Sequence, residues 1–155
     1  MHRALWLAIL VPILSACAAA GTGQEFSIEQ PPPASALVYH YRLRMGVGSA
    51  VSFDVIGAGK PLTRIGNGGY FAHIVEPGKV EYVKKRSVNF GVLFILVDSL
   101  ENAMRTFTPA HTLNVARGET RYLRWTYSGA VEEVPPDIAI SEMRGMKSWP
   151  AASEK

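Results

Sequence analysis

From residue 36 onward, apolar and polar residues alternate with a period of two rather than 3.6. Leu37, Tyr39, Tyr41 and Leu43 alternate with Val38, His40, Arg42 and Arg44. This predicts a strand with one apolar face and one that becomes basic, His40 and Arg42 pointing outward when the tyrosines pack inward. Val51, Phe53 and Val55 alternate with Ser52 and Asp54 in the next run, which ends at the turn Gly57-Ala58-Gly59-Lys60. A short third run spans Pro61 to Ile65. Gly66-Asn67-Gly68-Gly69 follows. An Asn-Gly step readily takes positive φ at both turn positions, so the strongest hairpin is expected here, with Tyr70 to Val75 as its return strand. Glu76-Pro77-Gly78 closes that strand with a Pro-Gly corner.

Lys79 to Arg86 predicts another strand. The run Val88 to Val97, VNFGVLFILV, is the most apolar stretch after the N-terminus and reads as a central strand covered on both faces. One or two helical turns are expected near 98–105, capped by Asp98 or Ser99. Strand character returns at Thr106 to Phe107, at Thr112 to Val115 and at Thr120 to Tyr127, with Arg117-Gly118-Glu119 as a tight turn. In the last of these, Tyr122 and Arg124 share one side, and Leu123, Trp125 and Tyr127 the other. Pro135-Pro136 is read as a break before a final short strand, Ile138 to Ser141. The expected fold is all-β: a small antiparallel β-sandwich or half-open barrel of seven to nine short strands.

The chain has 155 residues, of which 48% are hydrophobic and 19% charged, enough to feed one compact core. The net charge of +3 comes from basic residues scattered along the chain, so nucleic acid is not an expected partner. A single cysteine, Cys17, excludes an intramolecular disulfide, a four-cysteine zinc site and a CxxC redox pair.

That cysteine stands at the end of MHRALWLAILVPILSAC. His2 and Arg3 form a basic start, residues 4–14 an apolar run, and Ser15 and Ala16 a small-residue cleavage site, the order of a secretory signal. The apolar run is short of the roughly 20 residues that a spanning helix needs. Leu14-Ser15-Ala16-Cys17 resembles the lipobox of bacterial lipoprotein precursors. The resemblance implies a diacylglycerol on the Cys17 thiol, cleavage between Ala16 and Cys17, and acylation of the new amine. A plain secreted protein with an incidental Cys17 and an uncleaved anchor are the alternatives. In the sorting scheme of many Gram-negative lipoproteins, Asp after the cysteine favours the inner membrane. Ala18 stands there instead, which implies an outer-membrane address, more on the periplasmic face than the exterior.

The resulting organisation is a signal peptide at 1–16, a lipidated tether at 17–34, a β domain at 35–143 and a frayed tail at 144–155. Pro31-Pro32-Pro33 stiffens the tether, which is expected to act as a spacer. Three stretches carry a wider resemblance: Ala36-Leu37-Val38-Tyr39-His40-Tyr41-Arg42, Gly66-Asn67-Gly68-Gly69-Tyr70-Phe71 and Val75-Glu76-Pro77-Gly78. With the lipobox, they resemble the bacterial domain-of-unknown-function 2846 family, typically lipoproteins. The turn at Gly57-Ala58-Gly59-Lys60 departs from the family's usual Asp-Gly-Lys, and the match weakens after Arg86. The resemblance implies a compact β domain on a lipid anchor and no catalytic residues.

Residues that carry chemistry are sparse. His40, His73 and His111 lie on separate elements without an HxH or HExxH spacing, so independent histidines are expected and no metal or other cofactor. No GxSxG elbow is present. A carboxylate pair can be assembled from Asp54 and Glu76, as in any β domain. Lys84, Lys85 and Arg86, with Arg42 and Arg44, form a candidate contact with an anionic surface such as lipid headgroups or lipopolysaccharide, against a plain solvated strand end. The expected function is that of a non-enzymatic, membrane-anchored envelope lipoprotein whose β domain binds an envelope protein or supports an assembly. An unpaired edge near residues 36–44 would favour that reading. The alternative is a small-ligand or cell-wall-glycan module, favoured by a concave pocket lined with Tyr and Trp; an exposed Trp125 or Tyr70 beside an apolar patch would favour a peptide, glycan or partner-protein site.

Overall fold

The computed structural model describes residues 21–88 and 110–152. Among them are strands β1 (Ala36–Arg42), β2 (Val51–Gly57), β3 (Lys60–Ile65), β4 (Gly69–Val75), β5 (Gly78–Val88), β6 (His111–Val115), β7 (Thr120–Trp125) and β8 (Val131–Glu133), then helix α1 (Pro136–Met143) and β9 (Lys147–Ser148). They build a first sheet ordered β8-β7-β1-β4-β9 and a second ordered β3-β2-β5-β6. The described residues form a small, mostly antiparallel β structure in two sheets plus one short helix. Two pairs depart from the antiparallel pattern: β1 runs parallel to β7, and β4 to β9. The apolar run 88–97 and the helical turns expected near 98–105 lie, but for Val88 at the end of β5, outside the described residues.

Central burial belongs to β1. Every residue from Ala36 to Arg42 is buried. Val38, with Leu123 and Trp125 of β7, faces Phe53, Val55, Ile65, Tyr82, Leu113 and Val115 of the second sheet, forming the core between the sheets. Leu37, Tyr39 and Tyr41 face the other way and pack with Tyr70, Tyr122, Val134, Ala139 and Met143 under α1. Alternation along β1 therefore separates two cores, and the expectation that His40 and Arg42 point outward is overturned.

Turn chemistry also acts differently from the sequence reading. The two-residue hairpin is at Ala58-Gly59, both with positive φ (50° and 76°), the mirror-image turn that matches strand twist. The Asn67-Gly68 step, expected to make the strongest hairpin, instead carries the chain from β3 in the second sheet to β4 in the first. The Asn67 side chain is buried there and bonds both the N–H (2.8 Å) and the C=O (2.9 Å) of Met45, pinning the loop after β1. Glu76-Pro77-Gly78 and Arg117-Gly118-Glu119 are likewise passages between sheets.

The expected strand at Ile138 to Ser141 is helical. Ile138 and Ile140 mimic a period of two, but Ala139 and Met143, four apart, supply the buried stripe. Pro136 begins this helix rather than breaking the chain, since a first-turn N–H has no intrahelical acceptor and proline therefore loses no helical hydrogen bond there.

Both ends of the described chain are docked. In the expected tether, residues 23–26 run beside β9: Phe26 N–H donates to Met146 O at 2.8 Å, and its ring meets Tyr39 and Tyr70 edge-on at 5.5 and 5.4 Å. The expected frayed tail is ordered through residue 152. Thr63 donates to Pro150 O at 2.8 Å, and Ala152 N–H donates to Leu62 O at 2.7 Å, so the tail joins β4 of one sheet to β3 of the other. Trp149 lies over Gly69, where a Cβ would stand 1.8 Å from the indole Nε1.

Two substitutions test these features. Gly69→Ala expels Trp149 and is expected to cost about 1–3 kcal/mol, with earlier proteolysis of the C-terminus, read by thermal melting and limited digestion. Ala58→Asn relieves a left-handed alanine and is expected to raise stability by about 1 kcal/mol in the same melt.

Candidate functional site

The lipobox residues Leu14, Ser15, Ala16 and Cys17 lie outside the described residues. The five basic residues proposed as one anionic-surface contact do not gather. Arg42 is wholly buried between the sheets, which removes it from any surface. Its guanidinium donates to Gly48 O at 2.7 Å and to Val51 O, and sits over the Phe53 ring at 5.7 Å from the centroid. Its Nε has no partner among the described residues, and burial lowers its pKa. Arg42 is thus a clamp for the loop between β1 and β2. The pleat then divides Lys84 from Lys85. Lys84 stands opposite the inward Val55 and donates to Gly129 O at 2.6 Å, whereas Lys85 stands opposite Asp54 and is exposed. Arg86 stands opposite Phe53, and Arg44 is exposed in the loop after β1.

The histidines, expected to be independent, meet around Tyr82 in the core between the sheets. His40 is fully buried, and its ring lies edge-to-face with Tyr82 at 4.4 Å. His73 Nδ1 is 3.1 Å from the Tyr82 hydroxyl, and His111 is paired with Tyr82 across β5 and β6. The Trp125 indole N–H donates to His40 Nδ1 at 3.2 Å. Since an indole only donates, His40 Nδ1 is the acceptor and its proton is on Nε2, which has no partner among the described residues. Desolvation, with His73 and His111 nearby, lowers the His40 pKa to about 3; burial also lowers that of His73 and raises that of the Tyr82 phenol. Among the described residues no group of three or more His, Cys, Asp or Glu is arranged to hold a metal ion. The postulated carboxylate pair is also separated: Asp54 accepts from Arg64 at 2.6 Å on the outer side of the second sheet, while Glu76 is exposed at the corner after β4 in the first.

On the other side of the first sheet, an ion network missed from the sequence fastens α1. Glu142 accepts from the Tyr41 hydroxyl and from Arg124 Nη1, each at 2.6 Å, and Arg124 reaches Glu132 of β8 at 2.8 Å. The Tyr41 pKa is raised chiefly by burial, then by its bond to Glu142. The residues had no detectable spacing signal, because the three chains meet only after α1 docks.

Two open clefts flank this helix. One, of about 620 Å³, lies at the C-terminal end of β1 and is bordered by Gly21, Arg44, Glu142, Arg144 and Lys147. The other, of about 430 Å³, is bordered by Glu119, Arg121, Tyr122, Glu133 and Pro136. Trp125 and Tyr70, whose exposure would have favoured a glycan or peptide pocket, are 1% and 5% exposed. Nor is the segment 36–44 an open edge, since β1 is hydrogen-bonded on both sides.

No family model, curated protein or solved structure matches the chain.

The buried histidine makes stability pH-dependent in a definite direction. His40 takes up a proton near pH 6.5 when unfolded but only near 3 when folded, so acid favours the unfolded chain. Stability is full above about pH 6.5 and falls by about 1.4 kcal/mol per pH unit below it for this one proton. His40→Phe is expected to lower stability at pH 7.5 by leaving the Trp125 N–H unpaired, while making the decline between pH 6.5 and 4 shallower by close to one proton. Urea melts across that range measure both.

Proposed function

We propose that this chain is a bacterial envelope lipoprotein, held at the membrane through Cys17, whose β domain works as a non-enzymatic interaction module. The resemblance of its motifs to the domain-of-unknown-function 2846 lipoproteins supports the same reading. The observation that carries it is how the ionisable side chains of the interior are spent. His40 receives the Trp125 indole, Glu142 receives Tyr41 and Arg124, and Arg42 ties down two loop carbonyls. Each holds one element against another; of the three, Glu142 also borders a cleft, but both of its oxygens are already taken by Tyr41 and Arg124. A docked N-terminal segment and an ordered C-terminal tail leave a rigid block on a short leash.

The rival reading, a glycan or small-ligand module, needs aromatic rings lining a pocket, and the large cleft is bordered by charged residues, glycines, Leu43 and Met146, with no aromatic ring among them. Contact with an envelope protein or cell-wall component therefore falls to exposed surface.

Cys17→Ser in the native host is expected to abolish lipid-dependent processing, leaving the precursor at full mass and removing the mature form from outer-membrane fractions. Unaltered processing and fractionation would overturn the anchor. Crosslinking in intact envelopes followed by mass spectrometry is expected to yield a defined protein or peptidoglycan adduct. Turnover of an envelope substrate by the purified protein, abolished by one side-chain substitution, would overturn the non-enzymatic reading.

A further inference from the structure

One end of the molecule differs from the other. The C-terminal end of β1 opens into the loop of residues 43–50. Because β7 runs parallel to β1, the loop of residues 126–130 emerges at the same end. These two loops carry three exposed large apolar side chains: Met45, Val47 and Tyr127, at 41%, 77% and 52% exposure. The loops touch, for a Cβ on Gly48 would come within 3.0 Å of Tyr127 Cβ.

Three cations lie to one side of this tip, toward α1 and β9. Arg44 follows β1, Arg144 follows α1, and Lys147 begins β9, beside the first residue of β4; together they border the large cleft. None of the three side chains forms an ion pair or hydrogen bond among the described residues. The cleft's carboxylate, Glu142, is already committed to Tyr41 and Arg124, Glu132 is paired with the same Arg124, and Glu25 lies beside Lys147. The opposite end, where β1 begins, carries charges of both signs: Glu76, Glu119 and Asp137 stand among its corners with Lys79 and Arg117, and Arg121 pairs with Glu119. Gly21, four residues beyond Cys17, borders the same cationic cleft, pressed against the Lys147 carbonyl.

We infer that this end is a membrane-contacting face: Val47, Met45 and Tyr127 enter the headgroup region of a bilayer while Arg44, Arg144 and Lys147 bind anionic phosphates beside them. Apolar loop tips with a cationic flank fit a bilayer interface, where an aliphatic or tyrosine side chain is buried as each cation meets lipid phosphate. The inference rests on the anchored reading for its orientation, since a chain leaving at Gly21 toward a lipidated Cys17 brings this end, and not the one where β1 begins, to the membrane. Such a domain lies down on the bilayer rather than swinging above it on its leader.

The test uses the mature lipoprotein with one added thiol, Val47→Cys or Glu76→Cys, labelled with an environment-sensitive dye. It is incorporated into phosphatidylcholine vesicles with or without phosphatidylglycerol. With phosphatidylglycerol, the Val47 dye is expected to shift to the blue and be quenched by lipid-borne quencher, while the Glu76 dye stays in water. Replacing Arg44, Arg144 and Lys147 by Ser should reduce the ratio of immersed to free tip roughly tenfold to a hundredfold without releasing the protein from the vesicles. A Val47 dye that stays aqueous on phosphatidylglycerol vesicles, or a Glu76 dye that enters, overturns the contact face and leaves the anchor standing. A protein that fails to float and shows an unmodified Cys17 by mass overturns the anchor; the Val47 dye, read on phosphatidylglycerol vesicles added to that protein, still decides the face.

Discussion

The structure depends on covering one strand from both sides. β1 sits between β4 and β7 and is buried along its whole length, so it can exist only if a second sheet closes one face and a helix with the N-terminal segment closes the other. A strand so placed is ordinarily apolar throughout. β1 is not: it brings His40, Arg42 and the hydroxyls of Tyr39 and Tyr41 into the interior. Each of these must find a partner, because a buried polar group left unpaired costs about 1–3 kcal/mol. Much of the remaining structure consists of those partners.

The demand is met differently on the two faces. Toward the second sheet, Trp125 satisfies Nδ1 of His40 and leaves Nε2 without a partner among the described residues, while Arg42 draws the carbonyls of Gly48 and Val51 over itself and so shapes the loop between β1 and β2. Toward the helix, Tyr39 gives its proton to Ser27 O and receives the N–H of Glu29, which holds the incoming chain across that face. Tyr41 donates to Glu142, and Arg124 completes the carboxylate's shell. The helix has no side-chain cap at its N-terminus, so this pairing, with Ala139 and Met143 beneath it, does the anchoring. The same side chains that a reader would scan for catalysis are the ones that close the cores. That is why the proposed function falls to the exposed surface.

Much of the architecture was legible in local pattern. Most described strands fall on runs of alternating residues, and the division of β7 into Tyr122 and Arg124 against Leu123 and Trp125 is the division between the two cores. The errors share a cause. Asn67-Gly68 has the chemistry of a hairpin turn, yet its flanking strands belong to different sheets, and Asn67 bonds Met45 rather than turning the chain. Ile138 and Ile140 alternate like a strand, but the segment packs through Ala139 and Met143. Lys84 and Lys85 are adjacent in sequence and so were pooled, although a pleated strand sends neighbours to opposite faces. Residues 144–155 have no period because a two-residue strand is too short to show one; its order comes from Trp149 over Gly69.

What the chain of residues settles alone is local. Alternation with period two over short spans commits most described segments after residue 35 to strands, and glycine and proline mark where they stop. Which strands become neighbours was decided only in three dimensions. Backbone hydrogen bonds are chemically alike between any two strands, so the parallel pairing of β1 with β7 carries no signature in either. Alternation says that two faces differ, and it is silent on whether the second face meets water or another layer. Folding answered that for β1 with a layer on each side, and so turned a histidine and an arginine that look like surface groups into the polar interior of the domain.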